Sequence, residues 1–259
     1  MSVLYYAMGG GLGHLTRARC FLRALGLERA AVILTASEFA DDRRVVGDIP
    51  VIPWSRDTIQ RLAPERIIVD TFPAGLFGEI QAPRVDYVAR YLRWSAYAPR
   101  NMPQFERTYV LEPLDDEHDR FIEEHSRVVI RDFEFEDALP AVSSPAFVLV
   151  IHSGPADEID ELIAYARDVC AIERITQPIL LCAPAGLHRA DVHCVDVYPA
   201  TPLTSTARLI FTGGGFNSMR QFGGDPRHRP LPFPRRFDDQ HRRVAHFRNY
   251  GLALRGAHI

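Results

Sequence analysis

The sequence predicts an α/β protein of two Rossmann-like lobes, each built on a mainly parallel sheet. Three observations carry this. Short β-rich runs alternate with helix-period segments along the 259 residues. A stretch with two prolines and two serines, Leu139 to Pro145, separates an earlier β-α series from a later one. A strand, glycine turn and helix occur in succession twice, at 8–17 and at 211–221. The expected lobes are residues 1–140 and 146–259. Open sheets of this kind bind ligands beyond the C-terminal ends of their strands, so both sites are expected to face a central cleft.

Taken in order, Val3–Met8 reads as a buried strand, since it is apolar without alternation. Leu15–Leu25 reads as a helix, with Leu15, Ala18, Phe21, Leu22 and Leu25 on one face. Val32–Thr35, Val51–Pro53, Arg66–Asp70, Arg84–Ala89 and Tyr109–Leu111 follow as strands. In the second series Phe147–His152, Ile179–Cys182, Val192–Val197 and Leu209–Thr212 are strands. Ala156–Cys170, with acids near its positive end, Phe216–Phe222 and Asp239–Tyr250 are helices, and Gly251 suits a helix stop.

All 30 basic side chains are arginine. Chemistry that needs a lysine amine, such as a Schiff base or a P-loop, is therefore excluded. Any phosphate must be held by arginine, histidine or backbone N–H groups. A net charge of −3 argues against a nucleic-acid partner for the chain as a whole. No apolar run approaches the ~20 residues of a membrane helix, and Met1 leads into a strand without a basic n-region. Four scattered cysteines without a CxxC pair suit a cytoplasmic protein with reduced thiols. Cys182, His188, His193 and Cys194 match no zinc spacing, so no metal site is expected. Charge is unevenly placed. Residues 112–137 hold eleven acids against three arginines and read as a solvated face, whereas 220–255 hold nine arginines against three acids.

Four stretches can carry chemistry. In Met8-Gly9-Gly10-Gly11-Leu12-Gly13-His14-Leu15-Thr16-Arg17, glycines allow close backbone approach and His14 follows the turn. In Ile67-Ile68-Val69-Asp70, an aspartate ends a buried strand. Asp70 either caps the next helix or accepts a hydrogen bond from His14 and fixes its tautomer, which leaves the other ring nitrogen as a base. Thr212-Gly213-Gly214-Gly215-Phe216-Asn217-Ser218 repeats the glycine device and suits a diphosphate. Pro234-Arg235-Arg236-Phe237-Asp238-Asp239-Gln240 offers arginines for phosphate and Asp239 and Gln240 for sugar hydroxyls, or a helix cap after a stiff connector.

These stretches, GGGLGHLTRARCFLRAL, IIVDTFPAGLFGE, RLIFTGGGFNSMRQF and LPFPRRFDDQHRRVAHFRNYGLA, lie in an order that resembles GT-B glycosyltransferases. The resemblance is to those related to family 28 and the N-acetylglucosaminyltransferase of peptidoglycan synthesis, and to predicted bacterial glycosyltransferases with a G-x-G-H-x-x-R turn. It implies a metal-independent hexosyl or N-acetylhexosaminyl transfer from a nucleotide sugar, UDP by default, with no cofactor. It makes His14 the base and Asp70 its orienter, with Gly10, Gly11, Gly13 and Arg17 on the acceptor side. Gly213, Gly214, Gly215, Asn217 and Ser218 fall on the donor diphosphate loop, Gln221 on the ribose position, Arg235 and Arg236 beside the diphosphate, and Asp239 and Gln240 at the donor sugar. Two departures stand out: Gln221 replaces the usual glutamate, and relatives run on through further helices, so the second lobe is expected to be shortened. A lipid-linked or cell-envelope acceptor would suit a peripheral place at the inner membrane face. Two alternatives stay open, a nucleotide-sugar hydrolase in which His14 activates water and a non-catalytic nucleotide-binding partner.

Overall fold

The structure, a computed structural model, describes residues 3–9, 11–97, 101–134, 145–184 and 187–256, with side chains to 248. The chain divides into two compact units, Met1–Glu136 with Arg236–Asp239, and Asp137–Arg235 with Gln240–Ile259. Most of the expected linker, residues 139–144, lies outside the described residues.

Unit 1 is a seven-stranded sheet. Its strands are β1 (Val3–Ala7), β2 (Ala31–Thr35), β3 (Val51–Pro53), β4 (Arg66–Asp70), β5 (Arg84–Ala89), β6 (Phe105–Val110) and β7 (Ser126–Ile130), in the order β3-β2-β1-β4-β5-β6-β7. Every pairing is parallel. Parallel strands need crossovers that cover both faces, which is why β1 is buried from end to end and β4 from Ile67 to Asp70. Helix α1 (Leu12–Ala24) buries Leu15, Ala18, Phe21 and Leu22, the stripe expected of its period. Leu15, Phe21 and Leu22 each contribute about 1.5–3 kcal/mol by this burial. The helix starts earlier than expected, inside the glycine turn, so His14 sits in its first turn. Two short helices follow, α2 (Arg43–Val46) and α3 (Thr58–Leu62).

The acidic run is not wholly a solvated face. Its first part forms helix α4 (Asp116–His125), capped by Asp115, whose side chain accepts from the His118 N–H. Asp116, Glu117 and Asp119 sit in the first turn, where the helix dipole favours them, while His118, Phe121 and Ile122 are buried. The chain then returns as the edge strand β7.

Unit 2 carries β8 (Phe147–Ile151), β9 (Ile179–Cys182), β10 (His193–Val195), β11 (Ala207–Gly213) and β12 (His228–Leu231) in the order β10-β9-β8-β11-β12, again parallel throughout. Helix α5 (Ala156–Glu173) packs Ile159, Leu162, Ile163, Ala166 and Cys170 onto this sheet. Helices α6 (Phe216–Phe222) and α7 (Gln240–Gly256) complete it. Helix α7 runs through Gly251, the residue expected to stop it. No helix among the described residues is long and apolar enough to cross a membrane.

Candidate active site

In unit 1 the chain winds from β1 to β2 on one side and reaches β4 on the other. The β1–β4 neighbourhood is therefore the switch point where such sheets open a crevice. His14 enters it from α1 and Asp70 from the last position of β4. The imidazole Nδ1 lies 3.2 Å from Asp70 Oδ2. Gly9, with φ +147°, makes room for the ring. A Cβ there would stand 2.3 Å from His14 Nε2. Gly11 is the N-cap of α1, and Gly13 lies in its first turn. Gly10 lies outside the described residues.

Arg17, one turn along α1, holds the same carboxylate. Its Nε lies 3.0 and 3.1 Å from the two Asp70 oxygens and its Nη2 donates to Oδ2 at 2.6 Å. Arg17 is 3% exposed and Asp70 is fully buried. Burial pushes the Asp70 carboxyl up, but the Arg17 guanidinium and the His14 contact outweigh it and hold it well below the usual carboxylate range. Burial lowers the His14 imidazole from its ordinary value to about 4; the Asp70 hydrogen bond opposes this and the Arg17 charge adds to it. His14 Nδ1 also lies 3.0 Å from Arg17 Nη2, so it can donate to Asp70 or accept from Arg17. Two acceptors facing each other at the Asp70 distance would repel, as would two donors at the Arg17 distance, so the two contacts favour opposite tautomers. Donation of Nδ1–H to the ionised carboxylate leaves the lone pair on Nε2.

Thr71 stands next to this pair at φ +72°, a left-handed conformation that a β-branched residue rarely adopts. It is clamped on every side: its N–H donates to Val88 O, its carbonyl accepts from Tyr87 Oη, and its hydroxyl accepts from Arg90 Nε at 2.8 Å. The hydroxyl in turn donates to Asp70 Oδ1 at 3.0 Å.

In unit 2 the switch point lies between β8 and β11. Gly213 ends β11, Gly215 is the N-cap of α6, and Asn217 and Ser218 lie in its first turn. A Cβ on Gly214 would meet Val244 Cγ2 at 2.9 Å and Gln240 Cβ at 3.0 Å, so glycine is what lets α7 dock against this loop. Arg243, buried on α7, donates to the Gly214 carbonyl at 3.2 Å. Gln221 donates to Thr201 Oγ1 at 2.8 Å. Gln240, 6% exposed, accepts from the Phe233 N–H at 2.9 Å, so its amide oxygen is tied to the backbone.

The remaining predicted residues are not brought to the Gly213–Gly215 loop alike. Arg235 is ion-paired with Glu158, its Nη2 donating to Oε2 at 2.6 Å. Arg236 lies over the Phe237 ring at 4.8 Å. Arg236 and Asp239 belong to unit 1, where Asp239 faces Arg93 at 3.9 Å.

A histidine that sequence reasoning passed over sits at this second switch point. His152 follows β8, and its Nε2 lies 2.8 Å from Glu158 Oε2. A Cβ on Gly213 would stand 3.1 Å from its ring, and Phe233 packs against it at 5.4 Å between centroids. Burial lowers its imidazole, with Glu158 opposing and Arg235 reinforcing. The available clue was positional: a histidine ends the first strand of the second lobe. Glu158 read only as a helix-end acid. Among the described residues no group of three or more His, Cys, Asp or Glu side chains is placed to hold a metal ion.

No family model and no curated protein matches the chain. Solved structures do. A spinosyn rhamnosyltransferase complexed with thymidine diphosphate matches over 95% of this chain and 84% of its own, with TM-score 0.58 and 16% identity. A spinosyn forosaminyltransferase matches over 97% and 84%, with TM-score 0.54 and 13% identity. The MnaA protein of S. aureus, solved with UDP, matches over 86% and 76%, with TM-score 0.50 and 10% identity. At such identities the likeness speaks for the fold: the chain has the two-unit α/β architecture of GT-B glycosyltransferases, which UDP-N-acetylglucosamine 2-epimerase-like proteins share.

Proposed function

We propose that the protein is a metal-independent glycosyltransferase that moves a hexosyl or N-acetylhexosaminyl group from a nucleoside diphosphate sugar, with UDP the leading candidate, to an acceptor hydroxyl. The observation that carries this reading is the His14 Nδ1–Asp70 Oδ2 contact at the β1–β4 switch point. With Nδ1–H given to Asp70, Nε2 takes the acceptor proton. The acceptor oxygen then bonds to the anomeric carbon as the bond from that carbon to the diphosphate breaks. Charge accumulates on the leaving diphosphate. Amides of Gly213, Gly214 and Gly215, the Asn217 and Ser218 side chains, and Arg235, released from Glu158, would meet that charge. Gln221 would reach the ribose and Gln240 the donor sugar, with Asp239 beside it in sequence. Gly11, Gly13 and Gly10 would line the acceptor turn. The fold likeness to transferases solved with thymidine diphosphate supports the donor class. A lipid-linked or cell-envelope glycan acceptor at the cytoplasmic membrane face would suit the arginine-rich stretch after residue 220.

Incubation with UDP-, TDP- and GDP-sugars, with and without acceptors, tests this. Acceptor-dependent sugar transfer that is lost in His14→Ala is the expected result. Release of free sugar without acceptor would move the reading to a hydrolase, and no heat of binding for any nucleotide would move it to a non-catalytic partner. Full turnover in His14→Ala would remove His14 as the base.

A further inference from the structure

Residues Arg236–Asp239 stand in the chain between Arg235 and Gln240, both of unit 2, yet they belong to unit 1. Their contacts there are specific. The Phe237 ring meets Phe72 edge-on, with centroids 5.5 Å apart and planes at 83°. The Phe237 carbonyl accepts from the Arg93 N–H at 2.9 Å. Asp238, 9% exposed, faces Arg90 at 3.6 Å.

What this segment touches is the turn that aims Asp70. Phe72 follows Asp70 by two residues, and its N–H donates to the Asp70 carbonyl at 2.9 Å. Arg90 holds Asp238 with one end of its guanidinium and the Thr71 hydroxyl with Nε, and that hydroxyl is bonded to Asp70 Oδ1. The left-handed Thr71 persists because its surroundings over-determine it; one of them, Arg90, is backed by Asp238, and Phe237 packs on Phe72, the next residue of the turn.

We propose that Phe237 and Asp238 are positioning residues for the His14–Asp70 pair, which set the direction of the Asp70 carboxylate from a segment flanked by donor-side residues. The kinetic part of this rests on the transferase reading; the spectroscopic part does not. The charged groups that face His14 are Asp70, Arg17 and Arg90. Removal of the Phe237 ring loosens the turn and weakens the 3.2 Å Asp70 hydrogen bond, so the Arg17 contact, 3.0 Å from Nδ1, gains weight.

Nitrogen NMR of 15N-histidine-labelled full-length protein reads the His14 tautomer directly. Wild type should show Nδ1–H at pH 7. Phe237→Ala should show a mixture with Nε2–H and a titration midpoint moved further down, because the contact that raises it is weakened. Asp238→Asn should shift both in the same direction by less, and Phe237→Leu should restore most of the wild-type signal. In turnover, Phe237→Ala should lose tenfold or more in kcat while donor KM stays within twofold. If Phe237→Ala does not fold, Asp238→Asn carries the same readouts. A wild-type tautomer and midpoint in Phe237→Ala and Asp238→Asn, with only a lower melting temperature, would overturn the proposal. Absence of turnover in wild type with every nucleotide sugar would sink the transferase reading and leave the tautomer result to stand on its own.

Discussion

Arg17→Gln is the most informative single change in unit 1. It removes the guanidinium that makes three short contacts to a fully buried carboxylate. Loss of one partner of a buried ion pair costs about 3–5 kcal/mol, because the other charge is left desolvated, and the glutamine amide keeps one donor, so about 3 is expected. At roughly 2–4 °C per kcal/mol, the melting temperature should fall by about 6–12 °C. The pH dependence gives a sharper test. In wild type the folded Asp70 pKa is depressed, so the stability it contributes is present above the unfolded value and lost as pH falls through the folded one. Without Arg17, burial of Asp70 is opposed only by the His14 and Thr71 contacts, so its pKa rises and the folded variant gains a proton at higher pH than folded wild type does. His14 also loses the Arg17 charge, which adds to the lowering that burial causes. Both effects make the folded variant bind protons more readily, so its deficit against wild type should shrink between pH 7 and pH 5. Parallel thermal or urea unfolding at the two pH values measures this. An unchanged melting temperature at pH 7, or a deficit that grows on acidification, would refute the pairing.

Other expectations concern the reaction. The acidic limb of the kcat/KM profile should fall near pH 4 and not near 6.5, because the base must be unprotonated and burial has lowered His14 to about 4; a limb above pH 6 would point to another group. Gly9→Ala places a Cβ 2.3 Å from His14 Nε2, which forces the ring aside. A displacement on that scale costs about 10²-fold in kcat, with a stability loss of about 1–3 kcal/mol, and steady-state kinetics beside thermal melts would separate the two. Gln221→Glu should tighten nucleotide binding by roughly threefold or more in calorimetry, since a carboxylate makes the stronger hydrogen bond to a ribose hydroxyl and can accept from the Thr201 hydroxyl to which Gln221 Nε2 donates. Equal affinity in both forms would remove Gln221 from the ribose position.

Much of the strand framework was legible in advance. Arg66–Asp70, Arg84–Ala89 and Ile179–Cys182 have the expected bounds, because strands inside a parallel sheet are largely apolar on both faces; the edge strand Val51–Pro53 also has the expected bounds. The elements that were missed carry weak local patterns. Helix α4 buries only three side chains under a surface of acids. Strand β12 reads His-Arg-Pro-Leu, and its proline is tolerated because β12 is an edge strand. Helix α1 begins at Leu12 although two of its neighbours are glycines, since the buried Leu15–Leu22 stripe outweighs their poor propensity.

By itself the sequence determined where most of the strands and the glycine turns lie, since hydrophobic periodicity and glycine turns are local properties of the chain. His14 and Asp70 could be nominated on that ground. Tertiary structure alone decided what those residues are electrostatically. Arg17 read as one more acceptor-side residue, and only the adjacency of β1 and β4 puts its guanidinium on Asp70 and beside the His14 ring nitrogen. His152, Glu158 and Arg235 likewise meet across as many as 77 residues. Segment 236–239 lies in the second half of the chain and packs in the first unit. The physical reason is common to all three. Charge, tautomer and burial depend on distances between groups remote in the chain, and those distances are set by strand order, not by any spacing along the sequence.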